Sequence, residues 1–142
     1  MPTTYVLADQ LSTMGILDGL RQRRAYVTKG PQLSFDAKIE GKSYPIGADM
    51  GIQEGQISFI VALLNPSQTL HARLIENGAT IAQTEIHHVS EWQYQHQADP
   101  DKAAWYRLEL SDETGDTLAI TNPIFAGPIK QPDRYYYGEF LR

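Results

Sequence analysis

The chain has 142 residues, 42% of them hydrophobic, which suits one domain with a sizeable core. It has no cysteine, and that excludes a disulfide framework, a thiolate metal site and a cysteine nucleophile. A net charge of −5 without a basic face, and no apolar run near the roughly 18 residues of a membrane span, mean that neither nucleic acid nor membrane is expected as a partner.

The N-terminus has no charged segment followed by an apolar one, so no signal peptide is expected and a cytoplasmic location is favoured. Residues 4–8 form a short β-prone run. Ser12 then reads as a helix N-cap, with Ile16, Leu17 and Leu20 as an apolar face at helical spacing. Gly15 and Gly19 lie inside that helix and cost it about 1 kcal/mol each relative to Ala, so its apolar face must dock on something. The basic run Arg21-Gln22-Arg23-Arg24 suits a helix C-terminus. Residues 25–28 form another short strand, stopped by Lys29-Gly30-Pro31.

From residue 32 the period becomes two. Leu33, Phe35, Ala37 and Ile39 alternate with Ser34, Asp36, Lys38 and Glu40, giving a strand with one wet face. Residues 41–55 are rich in glycine and read as irregular connection. Residues 57–64 are apolar on both faces, as a central strand would be, and Asn65-Pro66-Ser67 breaks them. Leu70, Ala72 and Leu74 alternate with His71 and Arg73, and Asn77-Gly78 turns the chain into a partner strand over residues 79–88. Residues 90–102 are mostly polar and read as loop. Tyr106, Leu108 and Leu110 then alternate with Arg107 and Glu109, Glu113-Thr114-Gly115-Asp116 turns, and Leu118 and Ile120 are expected to face inward. The fold class is therefore mainly β: an antiparallel β-sandwich, with immunoglobulin-like topology among the arrangements allowed, preceded by a short strand and helix.

Side chains with chemical potential are scattered. His87 and His88 are adjacent, so in a strand they point to opposite faces; His71 and His88 could meet across the hairpin. Asp112, Glu113 and Asp116 lack the spacing of an EF-hand and fit turn chemistry. There is no phosphate-binding glycine loop and no nucleophile elbow. Trp92, Tyr94 and Tyr136 are candidates for an aromatic surface that binds sugar rings or a partner chain, although tyrosines also serve by burying the ring and keeping the hydroxyl wet.

Two segments carry a resemblance. One is the short strand, the helix opened by Leu11-Ser12, and the junction Arg23-Arg24-Ala25-Tyr26-Val27-Thr28-Lys29-Gly30-Pro31. The other is the hairpin over residues 106–124, ending in Thr121-Asn122-Pro123-Ile124. Together they resemble the C-terminal part of PHP-domain (polymerase and histidinol phosphatase) metallohydrolases, a group of metal-dependent phosphoesterases. The chain departs from the family pattern at Arg23, where the pattern has Gly.

The resemblance implies that residues 1–29 are the tail of a PHP barrel and residues 30–142 an appended β-sandwich. It also implies divalent metals in an upstream barrel whose ligands would precede Met1, and that barrel, in the same polypeptide, as the partner. No catalytic, cofactor-binding or metal-ligating residue is carried over to this chain. The expected function is a non-catalytic accessory region of a metal-dependent hydrolase; the alternative is a free-standing sandwich-type module that binds carbohydrate or protein.

Overall fold

The alternation that begins at residue 32 folds into two antiparallel sheets packed face to face. The computed structural model describes residues 1–64, 66–87 and 91–129. Its elements are β1 (Thr3–Val6), α1 (Thr13–Arg21), β2 (Ala25–Thr28), β3 (Gln32–Ile39), β4 (Lys42–Pro45), β5 (Gly55–Leu64), β6 (Leu70–Glu76), β7 (Ala79–Ile86), β8 (Glu91–Ala98), β9 (Ala104–Ser111), β10 (Thr117–Thr121) and β11 (Ile124–Ala126). The larger sheet has the order β1-β2-β10-β9-β6-β7, with β11 also pairing β9; the smaller has the order β4-β3-β5-β8. This is the mainly β sandwich with one short helix that the alternation implies.

The core is what the alternation places inward. Phe35, Ala37 and Ile39 of β3 and Ile57, Phe59, Val61 and Leu63 of β5 face Leu70, Ala72 and Leu74 of β6 and Tyr106, Leu108 and Leu110 of β9. Phe59 sits at the centre, its ring 4.8 Å from that of Tyr106 and 5.9 Å from that of Phe35. Burying each large side chain contributes about 1.5–3 kcal/mol, so these rows hold the sheets together.

Three expectations are corrected. Residues 41–55 are not wholly irregular, because Glu40 and Gly41 both take positive φ and turn the chain into β4 beside β3. Residues 90–102 are not a loop: β8 pairs with β5 from Gly55↔Ala98 to Ala62↔Glu91 without a slip. Gln and Glu on its outer face lower its mean hydropathy, but Trp92, Tyr94 and His96 keep period two on the inner face. Finally, Ile120 does not face inward. The β9–β10 ladder shifts register between Thr117 and Ala119, and a one-residue slip exchanges the faces of a strand. Ala119 is therefore buried and Ile120 is exposed.

The N-terminal strands belong to the larger sheet. Ala119, Ile120 and Thr121 of β10 pair with Thr28, Val27 and Tyr26 of β2, and β2 in turn pairs with β1. Residues on both sides of position 29 thus share one ladder system.

Candidate functional site

The largest chemical anomaly of the described surface lies around α1. Ser12 caps the helix, its Oγ accepting the Gly15 N–H at 3.0 Å. The helix closes when the Arg24 N–H reaches back to the Gly19 carbonyl (2.9 Å) and the Arg23 N–H to the Leu20 carbonyl (3.0 Å). This six-to-one and five-to-two pairing needs a left-handed residue after the cap, and Arg23 supplies it with φ 62°. Its guanidinium is anchored, Nε donating to the Gly47 carbonyl at 3.2 Å and Cζ lying 5.4 Å from the centre of the Phe125 ring.

The glycines decide which face of the helix docks. A Cβ on Gly19 would stand 2.6 Å from the Leu7 carbonyl oxygen and 2.7 Å from Val6 Cγ1. The backbone of α1 is therefore pressed against the exit of β1. The apolar face, expected to be the docked one, is turned elsewhere: Ile16, Leu17 and Leu20 are 38–46% exposed. Beside Leu20, the paired residues Val27 and Ile120 lie on the outer face of the sheet, also near half exposed. Leu20, Ala25, Val27, Leu118 and Ile120 line a largely apolar groove of about 680 Å³. Single exposed apolar residues are ordinary; Leu20, Val27 and Ile120 differ in lining one groove together.

A polar cluster sits at one end of the sandwich, between the sheets. Glu76 lies opposite Tyr106 in the β6–β9 ladder. Its Oε2 is 2.7 Å from His96 Nε2, and its Oε1 is 3.8 Å from Lys102 Nζ. Burial, then the hydrogen bond and charge of Glu76, push the Tyr106 hydroxyl well above the usual tyrosine range. The adjoining cavity is about 180 Å³, and the carboxylate at its wall already has partners on both oxygens. The arrangement ties β6, β8 and β9 together.

The other histidines are engaged locally. Glu85 faces His87 Nε2 at 3.0 Å and His71 Nδ1 at 3.7 Å, while Thr69 Oγ1 holds the second ring nitrogen of His87 at 3.0 Å. His71 lies opposite Glu85 in the ladder; His88 lies outside the described residues. On the same outer face Glu109 accepts from Arg73 and, at 2.8 Å, from Arg107. Among the described residues, no three metal-ligating side chains gather where they could hold an ion.

Of the aromatic candidates, Trp92 and Tyr94 are brought together on β8 with ring centres 6.3 Å apart. Both rings are half-buried against the core, in register with Val61 and Phe59. Tyr136 lies outside the described residues. Sequence reasoning passed over Glu76 and Lys102 and gave His96 no role; Glu76 of β6 and His96 of β8 belong to different sheets and meet only when the sheets pack. It also missed the exposed pair Val27 and Ile120, whose signal is hidden by the register slip in β10. Compared with protein-family models, curated proteins and solved structures, the chain matches none.

Proposed function

We propose that this chain is the non-catalytic C-terminal accessory β-sandwich region of a PHP-type metal-dependent phosphoesterase, held against the rest of the barrel of the same polypeptide by α1 and β2 of the barrel tail and by β10 of the sandwich. The observation that carries this reading is the apolar groove lined by Leu20, Val27 and Ile120, with Ile16 and Leu17 also exposed on the same helix. Most of it lies in the segment whose sequence resembles the end of the family's barrel. An apolar groove of this kind loses its contact with water when another domain covers it, and that burial is favourable in proportion to area. In this reading residues 1–29 are the tail of the barrel, residues 30–142 the appended domain, and the divalent metals of phosphoester hydrolysis belong to the barrel.

The ladder order supports the immunoglobulin-like part of the reading. Counting β3, β5, β6, β7, β8, β9 and β10 as seven successive strands, the sheets read 1-2-5 and 4-3-6-7. That is the immunoglobulin order with the fourth strand on the second sheet.

The test has two arms. The native polypeptide is expected to continue upstream into a barrel whose sequence ends in Asp-x-His. That barrel, expressed separately, should bind this chain, and Leu20→Asp or Val27→Asp should weaken binding about tenfold or more. A native polypeptide no longer than these 142 residues, or metal-dependent phosphodiester hydrolysis by this chain alone, would overturn the proposal.

A further inference from the structure

Among the described residues, β1, β7, β4 and β8 end the two sheets with no strand beyond them, and these edges are not alike. β1 and β4 are four residues long, with Pro2 beside the first and Lys42 and Pro45 in the second. The β6–β7 ladder carries a register shift at Leu74/Ile75. Short length, proline, lysine and irregularity are the devices by which edges avoid pairing with other chains. β8 has none of them. It is eight residues long, ends the smaller sheet, follows β5 without a slip, and contains neither Pro nor Lys. Among the described residues, no backbone group outside the sheet ladders bonds to it.

From this edge we infer that β8 pairs with β8 of a second copy, antiparallel, about a two-fold axis at Tyr94. The sequence of the strand selects that occupant. A two-fold axis normal to the sheet keeps the faces together, so residues of like parity meet. With Tyr94 opposite Tyr94, the outer face sets Glu91 against Gln97 and Gln93 against Gln95; the inner face sets Trp92 against His96. Amides then meet amides, each Glu meets a neutral partner, and aromatic rings meet across the seam. Moving the axis to Gln95 opposes Glu91 to Asp99, a like-charge pair. Moving it to Gln93 shortens the shared run to residues 91–95. Within the strand the Tyr94 and Gln95 registers are equally long, and the Tyr94 register is the one whose continuation past the strand end does not bring Glu91 against Asp99. It joins two four-stranded sheets into one of eight and uses a surface on the sheet opposite to the apolar row of α1.

Sedimentation velocity on the full chain tests this. The wild type is expected to be dimeric at about 100 µM, a concentration at which even a weak edge contact populates its complex. Gln93→Lys with Gln95→Lys places two Lys–Lys pairs across the seam and should weaken the dimer about tenfold or more. Gln93→Lys with Gln95→Glu places two Lys–Glu pairs there and should restore it. Leu20→Asp should leave it unchanged. A monomeric wild type, equal weakening by both double variants, or loss of the dimer in Leu20→Asp overturns the inference. Amide hydrogen exchange needs no substitution: protection at alternate β8 residues should rise with protein concentration, and protection independent of concentration counts against the pairing.

Discussion

Arg23 holds a left-handed backbone that costs a non-glycine residue about 1–2 kcal/mol, and it does so where the helix must stop. Its side chain offsets that cost through the Gly47 carbonyl and the Phe125 ring. Two variants separate the terms. Arg23→Gly loses the contacts but also the strain, so its stability should fall within about 0.5 kcal/mol of wild type, whereas Arg23→Ala keeps the strain and should lose about 1–2 kcal/mol in urea denaturation. Asp112 offers a pH test. The Thr114 hydroxyl at 2.6 Å, with backbone N–H groups of Asp116 and Thr114, holds its carboxyl below the usual carboxylate range. A carboxyl depressed in the folded state stabilises it above the unfolded value of about 3.9, and that contribution is lost as pH falls through the folded value. Stability measured from pH 5 downward should therefore fall less steeply in Asp112→Asn than in wild type.

At the scale of the element, the slip in β10 and the glycine face of α1 both decide which side a sequence shows. Ala119→Asp buries an unpaired carboxylate and should cost about 3 kcal/mol or more, while Ile120→Asp, half exposed but opposite Glu109 in the ladder, should cost less, about 1–2 kcal/mol. Equal effects at the two positions would refute the slip. For α1, Gly19→Ala gains helix propensity of about 1 kcal/mol but drives a methyl into the Leu7 carbonyl, so a net loss of about 1–2 kcal/mol is expected from thermal melts. Gly30→Ala, with open space around it, is the neutral control. The hairpin between β6 and β7 needed no such correction. Asn77 and Gly78 take φ 49° and 89°, which the residue pair announces.

Across the whole molecule, the two sheets are joined by the apolar layer around Phe59 and by the Glu76–His96–Tyr106 cluster at its end. Phe59→Ala should cost about 3–5 kcal/mol in chemical denaturation because it opens a cavity in the layer that every central strand shares. Leu20→Asp, at a half-exposed side chain, should cost the isolated chain about 1 kcal/mol, well below Phe59→Ala. The contrast distinguishes a core row from a docking row.

The class of fold and most of the core were readable from the chain alone, because burial of one strand face imposes period two wherever apolar residues alternate, as at Leu33 to Ile39 and Tyr106 to Leu110. Turn chemistry at Asn77-Gly78 and the cap at Ser12 were equally local. β8 escaped notice because alternation there is carried by amides and aromatics, whose averaged polarity resembles a loop. Tertiary structure alone decided which face of α1 docks, that Ile120 points outward, and that Glu76, His96 and Tyr106 meet. Those outcomes depend on backbone approach, ladder register and the packing of one sheet on the other, which leave no periodic trace in sequence.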